Sequence, residues 1–197
     1  MSVAHAVAGA HAVAGAHDVA GAHDVAGLLL AQIAAFLAVL FIASAVHKAF
    51  DWRRTRTVVQ GFAGVPRRSA SPAALTACAI EALAGALLIL PDHRRAGAAF
   101  ATAMLGLYLA LISRAVALNR GVVDCGCSFG AGSRSLGRFE IVRNALLLAT
   151  ALLVLAYADA SASMAPSQLL AACALLALYG AVDQLMALRP MRQGTVL

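Results

Sequence analysis

Five apolar runs, each about as long as a bilayer is thick, constrain this chain more than any motif in it. The first, residues 28–46 (LLLAQIAAFLAVLFIASAV), carries no charge; the second, 73–90, carries only Glu81. The third, 96–118, is interrupted by Arg114 alone, and the fourth, 141–158, holds Arg143 and Asn144 in its first turn. The fifth starts at Pro166, a residue suited to a first helical turn, and runs to about residue 188 with Asp183 near its end. A helix rises ~1.5 Å per residue, so roughly 20 residues cross a hydrocarbon core of about 30 Å. Continuous Ala- and Leu-rich runs lack the alternation of a membrane barrel, which leaves helices. Composition agrees: 62% of residues are apolar, 12% are charged, and mean hydropathy is +0.84. The expected fold class is all-α, an integral membrane helical bundle of about five transmembrane helices with up-and-down topology. It is not a soluble enzyme.

Three segments follow. Residues 4–27 are four copies of a hexapeptide, AHAVAG twice and AHDVAG twice, each with one His (His5, His11, His17, His23). Residues 1–27 are read as a low-complexity, flexible tail, a metal-binding tail being the alternative. Residues 28–190 form the membrane domain and 191–197 a short C-terminal tail. The net charge of +6 is scattered between apolar runs, a membrane-flanking pattern that excludes a nucleic-acid footprint.

Five crossings decide which ends are neighbours. The loop after run one, the loop after run three and the C-terminal tail share one side. Lys48, Cys78, Glu81, Arg143, Asn144, Asp183 and Gln184 then crowd into the half of the bundle nearest that side. Glu81 lies near the middle of its run, where an uncompensated carboxylate costs several kcal/mol. Ala74, Cys78, Glu81, Ala82 and Gly85 form one helical stripe whose small residues admit a neighbouring helix, so Glu81 is expected to face the interior. Lys48, Arg143 and His47 are its candidate partners. The pair either locks helices together or serves a function; both readings stay open.

The loop after run three contains GVVDCGCSFG, with Cys125 and Cys127 one residue apart beside Asp124. Such a pair permits a strained, easily reduced disulfide, metal capture if further ligands were supplied, or no chemistry. Thiol–disulfide exchange is the reading preferred, and no metal is assigned. Cys78 lies beneath that loop; Cys173 reads as a small hydrophobe in run five.

FLAVLFIASAVHK closing run one, PAALTACAIEALAGALLIL in run two, DCGCSFG in the loop and RNALLLATALL opening run four together resemble the methylamine utilisation protein MauE family, among DoxX-like multi-pass membrane proteins. The resemblance covers about residues 28–158. The hexapeptide tail and Ser128, inserted before Phe129-Gly130, fall outside it. It implies a multi-pass inner-membrane protein needed to mature a periplasmic dehydrogenase, whose disulfide-rich small subunit would be the client. It also implies a thioredoxin-like partner of the MauD type. By the matching motif, Cys125 and Cys127 would be the redox pair. Glu81, Lys48, Arg143, Asn144, Asp124 and Cys78 are placed to support it. The role implied is an accessory maturation factor more than a classified enzyme. A non-catalytic scaffold or transport component and a quinone-coupled redox protein are the alternatives, quinone being the sole cofactor considered.

Orientation follows from charge. Outside the runs, eleven Lys and Arg residues flank the Cys-Gly-Cys side, whereas Arg94 and Arg95 alone flank the other. The positive-inside rule then puts the Cys-Gly-Cys loop in the cytoplasm and the N-terminus outside, at odds with a periplasmic client.

Overall fold

The computed structural model describes residues 3–118, 138–158 and 164–187, with side chains from Val25 onward except at 62 and 63. Cys125, Cys127 and Asp124 lie outside the described residues. Six helices are described: α1 (Val3–Phe50), α2 (Trp52–Ala63), α3 (Arg67–Ile89), α4 (Arg94–Ala117), α5 (Arg138–Ala156) and α6 (Pro166–Ala187). A short 3₁₀ turn, Pro91–His93, joins α3 to α4. There is no strand among the described residues.

Five of these helices are long and apolar enough to cross a membrane, within Val25–Phe50, Arg67–Ile89, Pro91–Ala117, Arg138–Ala156 and Pro166–Leu185. They match the five runs. The protein is an all-α, multi-pass membrane bundle. The hexapeptide repeats, expected as a flexible tail, are instead helical backbone leading into the first span. Their physical basis is the Ala content of each unit and the absence of proline.

Helices α1, α3, α4 and α5 close around one core. Leu37, Ala38 and Phe41 of α1 meet Ala84 and Leu88 of α3, Ala101, Met104 and Leu105 of α4, and Ala151 and Val154 of α5. Alanine dominates the seam because small side chains let helices pack closely where lipid removes any hydrophobic drive. Gly85 carries this furthest. A Cβ there would sit 2.7 Å from Ile42 Cγ1 and 2.9 Å from the Ala38 carbonyl, so α1 and α3 touch at the backbone.

Helix α6 stands apart. It packs on α1 and scarcely touches α5, its neighbour in sequence. Phe36 of α1 meets Tyr179 of α6 edge-to-face at 6.2 Å between ring centres. At the far end, Gln32 donates to the Gln168 carbonyl at 3.3 Å. The last span thus docks on the first rather than on its neighbour in sequence.

Helix α2 was not expected, since the first loop read as a connection. Asp51 caps it, accepting from the Arg54 backbone N–H at 3.3 Å. Gly64 ends it in the left-handed conformation, φ 66°. Trp52, Thr55, Val58 and Val59 recur at helical spacing and are buried or half-buried, while Arg53 and Thr57 are exposed. Thr55 Oγ1 donates to the Lys48 carbonyl at 3.1 Å, which pins α2 over the end of α1.

Candidate functional site

The polar half of the bundle is built around Glu81. Lys48 lies near the end of α1, where its stem crosses apolar surface before the ammonium reaches Glu81 Oε1. Tyr108, from α4, donates its hydroxyl to the same oxygen. Ser44, one turn before Lys48, donates to Glu81 Oε2 at 3.1 Å. Lys48 also donates to Ser44 Oγ and to the Tyr108 hydroxyl, each at 3.1 Å, and lies 4.9 Å from the centre of the Tyr108 ring. Glu81 is 1% exposed and Lys48 6%. Three helices thus converge on one carboxylate, and both its oxygens are satisfied by donors.

A second cluster faces it. Arg143, in the second turn of α5, binds Asp183 of α6 with Nη1 to Oδ1 at 2.5 Å. Its guanidinium carbon lies 5.8 Å from the centre of the Tyr179 ring. Asn144 donates to the Glu140 carbonyl one turn back, at 3.2 Å. Arg143, Asn144, Glu140 and Asp183 are all buried.

Between the clusters lies a cavity of about 40 Å³ for the centres of water molecules. Ser44, Glu81 and Tyr108 form one wall, Arg143, Asn144 and Tyr179 the other, with Leu40, Phe41, Leu105 and Leu147 closing it. A chamber of that size, mostly apolar in surface but with polar groups on two walls, has room for on the order of three ordered waters. The residues present offer oxygen and amide hydrogen bonds and two compensated ion pairs. Among the described residues, no group of three or more His, Cys, Asp or Glu side chains gathers to hold a metal.

Of the residues singled out from the sequence, Lys48 and Glu81 meet directly, and Arg143 and Asn144 line the same cavity. Arg143, a candidate partner for Glu81, pairs with Asp183 instead. Cys78 is half-buried one helical turn from Glu81, near enough for the charges of both Glu81 and Lys48 to act on it. Cys173 is exposed on α6. The expected stripe on α3 is right at Ala74, Glu81 and Gly85, which are buried, and wrong at Ala82, which is exposed; Ala84 and Leu88 are buried instead. The interior of a helix ringed by three neighbours is wider than one row. Lys48, counted among the loop charges, is neutralised inside the bundle.

Sequence reasoning missed Ser44, Tyr108 and Tyr179. Ser44 precedes Lys48 by four residues and so shares its face, a readable signal. Tyr108 and Tyr179 had none beyond a phenol in an otherwise apolar span.

Residues 26–157 match the family described as methylamine utilisation protein MauE, about two thirds of the chain. The chain belongs to the MauE family. It is 28% identical over 127 residues to methylamine utilization protein MauE of Paracoccus denitrificans, an overlap of 64% of this chain and 68% of that protein. No solved structure matches. The matched region of this MauE-family chain takes in α3, α4, α5 and the membrane-crossing part of α1, hence both walls of the cavity apart from Tyr179, and the Cys-Gly-Cys segment.

Proposed function

We propose that this MauE-family protein is an inner-membrane accessory factor that helps mature a periplasmic dehydrogenase, methylamine dehydrogenase or a similar client. It would act through thiol–disulfide exchange at Cys125 and Cys127. The observation that carries this reading is the convergence of Ser44, Glu81, Tyr108, Arg143 and Asn144 on one cavity, with Lys48 paired to Glu81, in the half of the bundle where α4 ends and α5 begins. The segment holding the two cysteines joins those same two ends. Polar groups are costly at that depth and concentrate where a membrane protein does its work.

The exchange is a simple one. A thiolate of one dithiol attacks the disulfide of the other through a mixed disulfide, and the second thiol then resolves it. One pair is oxidised as the other is reduced, whether the other belongs to a thioredoxin-like partner or to the client. The charge bias favours a cytoplasmic Cys-Gly-Cys segment, so for a periplasmic client the relay would start from a cytoplasmic reductant and its electrons would cross the bundle.

Thiol trapping in native membranes tests this reading. Cys125 and Cys127 should shift between reduced and bonded forms as the partner is supplied or withheld, and a Cys125→Ser, Cys127→Ser variant should abolish client maturation. Full maturation with the double variant would leave a membrane scaffold as the function. Labelling the two thiols from each face of the membrane fixes the orientation in the same experiment.

A further inference from the structure

Helices α5 and α6 follow one another in the chain yet leave a gap between them. The gap is a groove of about 260 Å³ whose walls, Phe36, Phe139, Val142, Leu146, Thr150 and Val182, are almost wholly apolar. Val142 and Leu146 are 56% and 63% exposed. Both sit within a membrane span, so the groove opens to hydrocarbon. Its inner end is formed by Arg143, Leu147 and Tyr179, and these three residues also line the polar cavity around Glu81. The apolar groove on the lipid side and the chamber beside Glu81 therefore abut, with Arg143, Leu147 and Tyr179 bordering both.

That shape suits a molecule with a long apolar tail and a compact polar head. The charges narrow the head. Lys48 is paired with Glu81 and Arg143 with Asp183, so the four together present no net charge to a phosphate. Ser44 and Tyr108 spend their hydroxyl protons on Glu81, whereas the Asn144 amide, with one N–H on the Glu140 carbonyl, has a second to give to a carbonyl oxygen. The rings of Phe41, Tyr108 and Tyr179 border the chamber, and flat aromatic walls favour a flat head. We propose that the adjoining groove and chamber bind an isoprenoid quinone, the carbonyl edge of its ring at the chamber and its tail along the groove between α5 and α6.

This inference deepens the proposed function by naming a ligand for the same polar half-bundle, and it is tested without any client. The full chain in nanodiscs is photolabelled with decylubiquinone bearing a diazirine at its tail, and labelled peptides are mapped by mass spectrometry. Labelling is expected on α5 and α6 beside Val142, Leu146 and Val182. Val142→Trp, which fills the groove, should cut it at least tenfold, and Leu152→Trp, on another exposed face of α5, should leave it unchanged. Both variants must keep the parent's thermal midpoint; if Val142→Trp does not, Val182→Trp takes its place. Excess unlabelled decylubiquinone should compete, whereas diacylglycerol and phosphatidylglycerol should not. Absence of labelling, indifference to both groove-filling variants, or equal competition by either lipid overturns the proposal. A Cys125→Ser, Cys127→Ser variant should label normally, so that failure of thiol exchange and failure of quinone binding are told apart.

Discussion

Lys48, one turn from the end of α1, reaches Glu81 at the middle of α3, and the two form an ion pair inside the bundle. The pair ties the end of one span to the interior of another, through residues 33 apart in sequence. It also resolves an energetic problem, since either charge alone at that depth costs several kcal/mol. Ser44 and Tyr108 add one further donor to each carboxylate oxygen. Such a network is well suited to fixing register, and equally suited to presenting a polar surface to a ligand.

Single substitutions should separate those two roles. Lys48→Met or Glu81→Leu leaves one charge buried without compensation and should destabilise the protein by about 3–5 kcal/mol. The double variant removes both and should recover most of that loss. Thermal unfolding in detergent reads the stability, and client maturation reads the function. A double variant that folds like the parent but fails to support maturation marks the pair as part of the working site. One that restores both marks it as a helix lock.

Tyr108→Phe removes a single hydroxyl while keeping the ring beside Lys48. Hydrogen bonds to charged groups contribute about 1.5–3 kcal/mol, so a loss of stability in that range is expected. The ring should keep α4 packed, because Tyr108 borders the core with its apolar body. The thermal midpoint of Tyr108→Phe should therefore lie between those of the parent and Glu81→Leu.

The five spans were legible because lipid is an undemanding reader: any sustained apolar run of sufficient length becomes a helix there. Lys48 and Glu81 were legible for the opposite reason, as charges too costly to leave uncompensated in such runs. The choice of partner was harder. Arg143 and Lys48 both lie on the right side for Glu81, yet Arg143, across the cavity from Glu81, is paired with Asp183 of α6. The placement of α6 on α1 depends on side-chain fit between Phe36 and Tyr179, which sequence spacing does not encode. Helix α2 was readable in principle, from Asp51 before Trp52 and Gly64 after Ala63, but its short polar face reads as loop.

Arg143 and Asp183 are the polar tie between α5 and α6, whose apolar faces scarcely meet. Asp183→Asn removes the charge but keeps the shape, and should cost about 3–5 kcal/mol by breaking a buried ion pair at one partner. The loss should be local. Hydrogen exchange in α6 should rise markedly, while α3 and α4, held by the Lys48–Glu81 cluster and the alanine core, should change little. Uniform exchange across all five spans would mean that the pair holds the whole bundle.

Gly85 and Gly106 make opposite predictions from the same substitution. A methyl group at Gly85 would press on Ile42 and on the Ala38 carbonyl, and the backbone contact cannot yield without moving α1 away from α3. Gly85→Ala should therefore destabilise by about 1–3 kcal/mol, the usual cost of overpacking. It should also disturb the Lys48–Glu81 pair, one helical turn further along the same interface. At Gly106 nothing lies within 4 Å of the added atom, and the residue sits in the interior of α4. Gly106→Ala should be neutral or slightly stabilising, because alanine loses less conformational freedom than glycine on entering a helix. Thermal unfolding of the two variants side by side checks the close approach of α1 and α3 directly. Equal midpoints for both would show that these helices stand further apart than the contact at Ile42 requires.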